Sequence, residues 1–372
     1  MNRFKFVIKQ MAKMILQNVI LPVVYRIYAR KPVKGNKVIL ADAHHDEIPY
    51  SMENIKKYVD EKGYDVEEFF IDFGKCQAFA LFKQMVRFMK MYAEAKYVFI
   101  CDNFLPIASC KKREETIVVQ LWHGGGLLKK IGYDTPDDIP EMYKGNVYKN
   151  YSLVTASADC VVPVLERAMR QKKGIVQATG LSRTDSFYDA GYLEKCKKKF
   201  YELYPEAGDK KIILWAPTFR GKAGDPKIVG AEAVKKLKEE MKDEWVVLTE
   251  AHPHFEKTGE ISGCPIPTEQ LLPVADCLIT DYSSVLYDFS LLKKPMVLFV
   301  PDKDEYVNKR GLYINLDEIP AVLVEDEEKF CEGIKKALEN FSAVEMTEFA
   351  NKYMTYCDGH ATERTMEIVE KL

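Results

Sequence analysis

The sequence predicts an α/β protein made of two domains, each a parallel sheet covered by helices on both faces. Three observations lead there. At 372 residues the chain exceeds what a single core usually holds, so two domains are expected. From Lys37 onward, short apolar runs alternate with amphipathic helices, the pattern of strands buried on both faces. The alternation restarts at Lys211, and each strand of this second half opens at its carboxyl end into a polar or charged cluster.

Apolar residues make up 47% and charged residues 30%, an ordinary globular composition. The formal net charge of -2 excludes a nucleic-acid binder driven by overall basicity, so no nucleic-acid partner is expected. The 9 cysteines form no CxxC pair and no Cys/His cluster at zinc spacing, which points to reduced thiols.

Residues 1–31 depart from this composition, with Lys5, Lys9, Lys13, Arg26 and Arg30 among their basic residues and no acidic one. The longest uncharged run, Met14 to Tyr25, is shorter than the ~20 residues of a spanning helix and contains Gln17, Asn18 and Pro22. Basic residues on both sides and the lack of a small-residue cleavage site fit a signal peptide poorly. A basic amphipathic segment over 1–32 remains, of the kind that lies in the interface of an anionic membrane. A helix packed on its own domain is the competing reading.

Lys37–Ala41 reads as the first strand, ending in the polar loop Asp42–Asp46, whose His44 and His45 read as loop residues with an acceptor-site role as the alternative; a helix over Ser51–Gly63 and a strand over Asp65–Phe73 follow. An amphipathic helix over 78–95 precedes a strand over Tyr97–Cys101. The next strand, Thr116–Trp122, runs into His123-Gly124-Gly125-Gly126, where glycines permit backbone conformations that a side chain blocks. This turn has neither the GxGxxG spacing nor the GK[ST] ending of nucleotide loops. His123 reads as a general base, with a turn histidine bonded to backbone as the alternative. Residues 133–152 read as a loop, Leu153–Ala156 and Gly174–Thr179 as strands, and Val161–Gln171 as the helix between them. The polar loop Gly180–Asp185 closes the first half, so the domains are expected over 33–186 and 187–372.

In the second half, Lys211–Trp215 opens into Ala216–Gly221 and Trp245–Thr249 into Glu250–His254. Cys277–Thr280 opens into Asp281-Tyr282-Ser283-Ser284, ahead of a helix over Val285–Leu292 and a strand over Met296–Val300. A helix start presents unpaired N–H groups and a positive dipole end, so this turn suits an anion; each serine has N-capping as its alternative. Asp302, Asp304 and Glu305 read as solvated loop charges among Lys303, Lys309 and Arg310. Two such halves with parallel sheets facing across a cleft describe the GT-B fold, here with the amphipathic segment appended. Thr347–Leu372 reads as helical and, in that fold, crosses back to the first domain, bringing His360 and Arg364 toward the cleft.

The stretches QLWHGGGLLKKIGYD (120–134), GLSRTD (180–185), LWAPTFR (214–220), TEAHPH (249–254) and ITDYSSVLYDFSLLKKPMVLFVPDKDEY (279–306) belong together, with RGLY (310–313) and YCDGHATER (356–364) extending the set. Together they resemble the CDP-glycerol glycerophosphotransferase family, which primes and polymerises teichoic-acid-type polyol phosphates. The resemblance covers about residues 115–364, and departs from the family's WHGTPLK turn at Gly125 and Gly126.

The resemblance implies transfer of a polyol phosphate, glycerol phosphate first, from a CDP-activated donor to a hydroxyl of a lipid-linked or polyol-phosphate acceptor. CMP is released, in teichoic-acid-like or capsular polymer synthesis, by a peripheral enzyme at the cytoplasmic face of the cell membrane. It makes His123 the base and His252 the second catalytic histidine, the latter holding the donor pyrophosphate with Ser283 and Ser284. It adds Asp281, Thr218, Arg220 and Arg183 to the donor phosphates, Asp288 to the ribose, and Gly124, Gly125 and Lys129 to the acceptor side. Either arginine has an ion pair with Asp185 or Asp281 as its alternative, and Asp288 an exposed helix position. No metal is obligatory, although Mg²⁺ can assist. CDP-ribitol as donor, or a UDP-sugar-dependent GT-B transferase or epimerase, are the alternative activities.

Overall fold

The computed structural model describes residues 14–139, 145–218, 220–222, 225–250 and 264–372, with 221, 222 and 225–227 as backbone only. The chain divides into two compact units. The first comprises Met1–His123, Glu141–Arg183 and His360–Leu372; the second comprises Gly124–Pro140 and Thr184–Gly359.

The first unit opens with a π-helical turn, Leu16–Ile20, continuous with α1 (Leu21–Tyr28). Leu21 and Tyr25 are buried, the Tyr25 ring lies 5.0 Å from that of Tyr92, and the Tyr25 hydroxyl accepts the Arg113 N–H at 3.0 Å. Ile15, Val19, Val23 and Ile27, spaced one turn apart, are exposed. Residues 1–13 of the expected amphipathic segment lie outside the described residues. Among the described residues no helix is long and apolar enough to cross a membrane.

Six parallel strands follow: β1 (Lys34–Asp42), β2 (Asp65–Phe70), β3 (Ala95–Ile100), β4 (Ile117–Gln120), β5 (Leu153–Ala156) and β6 (Val176–Ala178), in the order β2-β1-β3-β4-β5-β6. The β-branched and aromatic residues of β1, β3 and β4 are buried on both faces, as a covered parallel sheet requires. Helix α2 (Tyr50–Glu61) places Met52, Ile55 and Val59 on one face of its cylinder, against Val38, Leu40, Phe99 and Val119. Helix α3 (Ala78–Glu94) buries Phe88, whose ring packs edge-on at 4.7 Å against Phe104. The chain leaves β1 for β2 on one side and returns to β3 on the other. The strand order therefore reverses between β1 and β3, and such a reversal opens a crevice at the carboxyl ends of those two strands.

In the second unit α4 (Ala190–Leu203) precedes a parallel sheet of β7 (Lys211–Ala216), β10 (Trp245–Thr249), β11 (Cys277–Thr280), β12 (Met296–Phe299) and β13 (Val322–Val324), in the order β10-β7-β11-β12-β13. A hairpin, β8 (Arg220–Lys222) and β9 (Asp225–Lys227), stands outside that sheet. Here the order reverses between β7 and β11, and the Thr280 hydroxyl donates to the Ala216 carbonyl at 2.6 Å, fastening the two strand ends together. Helices α5 (Ala231–Met241), α6 (Val285–Ser290), α7 (Lys303–Arg310), α8 (Phe330–Glu339) and α9 (Ala343–Tyr353) belong to the same unit, as does a single helical turn at Thr268–Leu271.

Residues 303–310, expected as a charged loop, form α7: Asp304 and Glu305 lie in its first turn and Lys309 and Arg310 in its last, the arrangement that a helix dipole favours. The helical reading of 347–372 divides into α9 and α10 (Ala361–Lys371). Helix α10 belongs to the first unit, where Met366 and Val369 enter the core of β1, β3 and β4.

Candidate active site

In the first unit the loops after β1, β3 and β4 meet at the reversal of strand order. Asp42, the last residue of β1, is buried, and its Oδ2 accepts the N–H groups of His44 and His45 at 2.7 and 2.9 Å and Nδ1–H of His45 at 2.8 Å. Its Oδ1 accepts the Cys101 thiol at 3.5 Å. Burial alone raises the Asp42 pKa, but the bonds from His45 and His44 outweigh it and hold the carboxyl below its usual value. The same bond raises the His45 pKa, and burial pushes the Cys101 thiol far up, so that thiol stays protonated.

Beside Cys101, Asp102 places one carboxylate oxygen 3.7 Å from Nε2 of His44 and 3.8 Å from Nδ1 of His123. Nδ1 of His123 also lies 3.2 Å from the Cys101 carbonyl. A carbonyl can only accept, so Nδ1 carries the proton and Nε2 the lone pair. Nε2 has no protein partner among the described residues, and the side chain is half-exposed. The turn that presents it is strained: Trp122 has φ 49°, a cost of roughly 1–3 kcal/mol for a residue with a Cβ. The Trp122 N–H donates to Gln120 Oε1 at 3.0 Å, and its carbonyl accepts Nη1 of Arg183 at 3.4 Å. Arg183, expected at the donor phosphates, is thus buried in the first unit beneath the histidine turn.

In the second unit the reversal gathers Thr218 and Arg220, after β7, with Asp281 to Ser284, after β11. The Thr218 N–H donates to Asp281 Oδ1 at 2.9 Å, and its Oγ1 is buried beside the same carboxylate. Arg220 is committed to two carboxylates: Nη2 stands 3.0 Å from Asp281, and Nε and Nη2 donate to Asp302 at 2.6 and 3.1 Å. Its guanidinium lies 5.0 and 4.9 Å from the rings of Tyr282 and Tyr306, which stack on each other. The ion-pair alternative with Asp281 is therefore realised. Asp302, read from the sequence as a solvated charge, is the second partner, because α7 starts where it faces Arg220. Burial raises the Asp281 pKa against the pull of Arg220, whereas at Asp302 the Arg220 bonds outweigh burial and lower it.

Ser284 stands at the N-cap of α6 with no side-chain cap bond, and Ser283 Oγ accepts the Val285 N–H at 3.4 Å; both serines are half-buried. Asp288 is buried in α6, not exposed. His252 and His254 lie outside the described residues.

Gly124, Gly125 and Lys129, expected on the acceptor side, belong to the second unit. The Tyr287 hydroxyl donates to the Leu127 carbonyl at 2.8 Å, and Gly126, at φ 54°, lies so close that a Cβ would stand 2.2 Å from the Tyr287 ring. Lys129 forms an antiparallel bridge with Leu312, flanked by Lys130 N–H to Gly311 at 3.1 Å and Tyr313 N–H to Leu128 at 2.8 Å. Arg310 pairs with Asp138 at 2.7 Å, and the Tyr313 hydroxyl donates to Asp134 at 2.8 Å. The RGLY stretch is thus the strap that holds 127–138. Lys129 sits in the field of Asp281, Asp138, Arg220 and Arg310, and burial pushes its pKa down.

Sequence reasoning placed Asp42 in the loop at the end of the first strand without giving it a role, and missed Cys101 and Asp102. The signal was available, since each stands where a strand of a covered parallel sheet ends. Among the described residues no group of three His, Cys, Asp or Glu side chains is gathered as a metal-ligand set.

The family described as CDP-Glycerol:Poly(glycerophosphate) glycerophosphotransferase matches residues 23–371. The chain is 30% identical to the teichoic acid poly(ribitol-phosphate) polymerase of Bacillus spizizenii W23, over 92% of this chain and 57% of that one. It therefore spans little more than half the length of that relative. It is also 30% identical to the teichoic acid glycerol-phosphate primase of Bacillus subtilis 168, over 74% of each. The solved structure of the wall teichoic acid polymerase TagF superposes with a TM-score of 0.74 at 18% identity, covering 100% of this chain and 97% of that one, which shows a shared GT-B-like α/β fold.

Proposed function

The chain belongs to the CDP-glycerol:poly(glycerophosphate) glycerophosphotransferase family, and on that premise we propose that it transfers a polyol phosphate from a CDP-activated donor to an acceptor hydroxyl in teichoic-acid-type polymer synthesis. Glycerol phosphate is the first candidate and ribitol phosphate the second, since relatives of both kinds match at 30% identity. The acceptor is a lipid-linked or polyol-phosphate chain.

The observation that carries this reading is the state of His123: Nδ1 is tied to the Cys101 carbonyl, so Nε2 offers a lone pair at the end of a parallel strand. Phosphoryl transfer asks for positioning, charge stabilisation and a group to take the nucleophile's proton. The acceptor oxygen bonds to the phosphorus that carries the polyol, and the bond from that phosphorus to the bridging oxygen breaks. The electron pair leaves with CMP, and the proton passes to Nε2 of His123. Asp102 balances the imidazolium that results. The donor diphosphate lies at the strand reversal of the second unit, held by Ser283, Ser284 and Thr218, with His252 joining them and Asp288 serving the ribose. Arg183 supports the Trp122 carbonyl and through it the histidine turn.

The enzyme acts from the membrane surface, where the basic residues of 1–32 and the exposed row Ile15, Val19, Val23 and Ile27 meet anionic lipid. The reading calls for no obligatory metal; added Mg²⁺ would shield the charge of the diphosphate.

The test is CMP release from CDP-glycerol and from CDP-ribitol, each with a short lipid-linked acceptor, with and without EDTA, and with His123→Ala as the blank. Acceptor-dependent CMP from one donor supports the reading and names the polyol. Folded protein that yields none from either overturns it and turns attention to UDP-sugars.

A further inference from the structure

We infer that Lys129 is a donor-site residue, whose ammonium binds the phosphate oxygens of the CDP-activated donor and offsets the negative charge that collects on the departing CMP. The inference rests on the donor reading above and moves Lys129 from the acceptor side to the donor side.

Three observations carry it. The first is placement. Lys129 is fixed by its bridge to Leu312 and by the flanking backbone bonds, and it lies in the field of Asp281 and Arg220, both at the β7/β11 reversal where this kind of sheet binds ligands. The second is commitment of its neighbours. Asp281 is taken by Arg220 and the Thr218 N–H, and Asp302 by Arg220. Asp138 is taken by Arg310 and the Gly132 N–H. Arg220 has its own donors spent on Asp281, Asp302 and the Thr218 carbonyl, so it is a poor first choice for holding a phosphate.

The third is that a donor is left over. The Lys129 ammonium makes no hydrogen bond and no ion pair among the described residues, although it is half-buried and its pKa is pushed down by burial. The Thr218 hydroxyl is buried beside the same Asp281. Native proteins seldom bury donors with no acceptor. An unpaired ammonium beside a spent carboxylate defines a place for an anionic oxygen, and a diphosphate supplies several. A compact ammonium with three N–H donors suits oxygens whose charge shifts from the bridging position to the leaving phosphate as the reaction proceeds.

Binding of cytidine, CMP, CDP-glycerol and CDP-ribitol to the wild type, Lys129→Met and Lys129→Arg tests this by calorimetry. For Lys129→Met, CMP and CDP-glycerol are expected to bind roughly tenfold or more weakly while cytidine, which has no phosphate, binds as before; Lys129→Arg recovers part of the loss. Unchanged CMP and CDP-glycerol affinity in Lys129→Met overturns the inference alone. A wild type that binds CDP-glycerol and CDP-ribitol no better than cytidine overturns the donor reading, and the inference with it. Acylation mapping on the wild type needs no variant to fold: CMP and CDP-glycerol should protect Lys129 from amine acylation and cytidine should not. Equal labelling in all three is a second overturning result.

Discussion

The carboxylate of Asp102 stands 3.8 Å from Nδ1 of His123, on the side of the ring opposite the lone pair that Nε2 offers. A charge at that distance adds little to a neutral imidazole and attracts the imidazolium formed during proton transfer. Asp102→Asn is therefore expected to lower kcat about 10–100-fold with the affinity for CDP-glycerol unchanged. Equal losses in kcat and donor affinity, measured by steady-state kinetics and calorimetry, would instead assign Asp102 to the scaffold.

Gly126 combines φ 54° with contact against Tyr287, so no side chain is tolerated. Gly126→Ala should destabilise the second unit by more than about 1 kcal/mol, from the backbone conformation alone, and displace the turn after His123. Tyr287→Phe, which removes only the bond to Leu127, should cost about 1 kcal/mol. Denaturant titration of both variants checks the order.

Arg220 neutralises Asp281 and Asp302, and all three side chains are largely buried. Arg220→Met leaves two carboxylates without their cation and should destabilise by about 3 kcal/mol, with Arg220→Lys recovering only part because it loses the two-pronged grip on Asp302. A double replacement, Arg220→Met with Asp302→Asn, is expected to be less destabilised than the sum of its parts.

The bond between Asp42 and His45 gives stability a pH dependence of known sign. The His45 pKa is raised in the folded state, so its contribution is full below the unfolded histidine value of about 6.5 and fades as the pH rises through the folded value. Asp42 is lowered, so its contribution is present above the unfolded carboxyl value and is lost as the pH falls through the folded one. His45→Ala should therefore destabilise more at pH 5.5 than at pH 9. Thermal unfolding with the same difference at both values would contradict the geometry.

Leu21 and Tyr25 are core residues, so deleting residues 1–31 would test packing together with membrane binding. Replacing exposed Ile15, Val19 and Val23 with Gln separates the two. Co-sedimentation with anionic vesicles should fall while the melting temperature holds, and undiminished co-sedimentation would remove this face from the membrane reading.

The strands were legible because each is a short apolar run bounded by polar turns, and Leu153–Ala156, Trp245–Thr249 and Cys277–Thr280 have the expected limits. Helix α7 was hidden because Lys303–Arg310 has no apolar face to set a period, and its support comes from charges at its two ends. His123, Asp281 and the two serines stand at strand ends where the sequence placed them. Asp102 was missed because its meaning depends on β3 lying beside β1, which strand order decides and local sequence does not carry. The move of Lys129 to the second unit was equally unreadable, since it depends on pairing with Leu312, far away in the chain.

Helix α10 seats Met366 and Val369 among Val38, Leu40 and Val119, so the first sheet receives part of its interior from residues made long after its last strand, which ends at Ala178. During synthesis the ribosome must pass through the whole second unit before that interior can close. The exposed face of β1, β3 and β4 is then a window for chaperones and proteases, and a nonsense codon upstream of 361 should leave the first unit open even though every one of its strands has been translated.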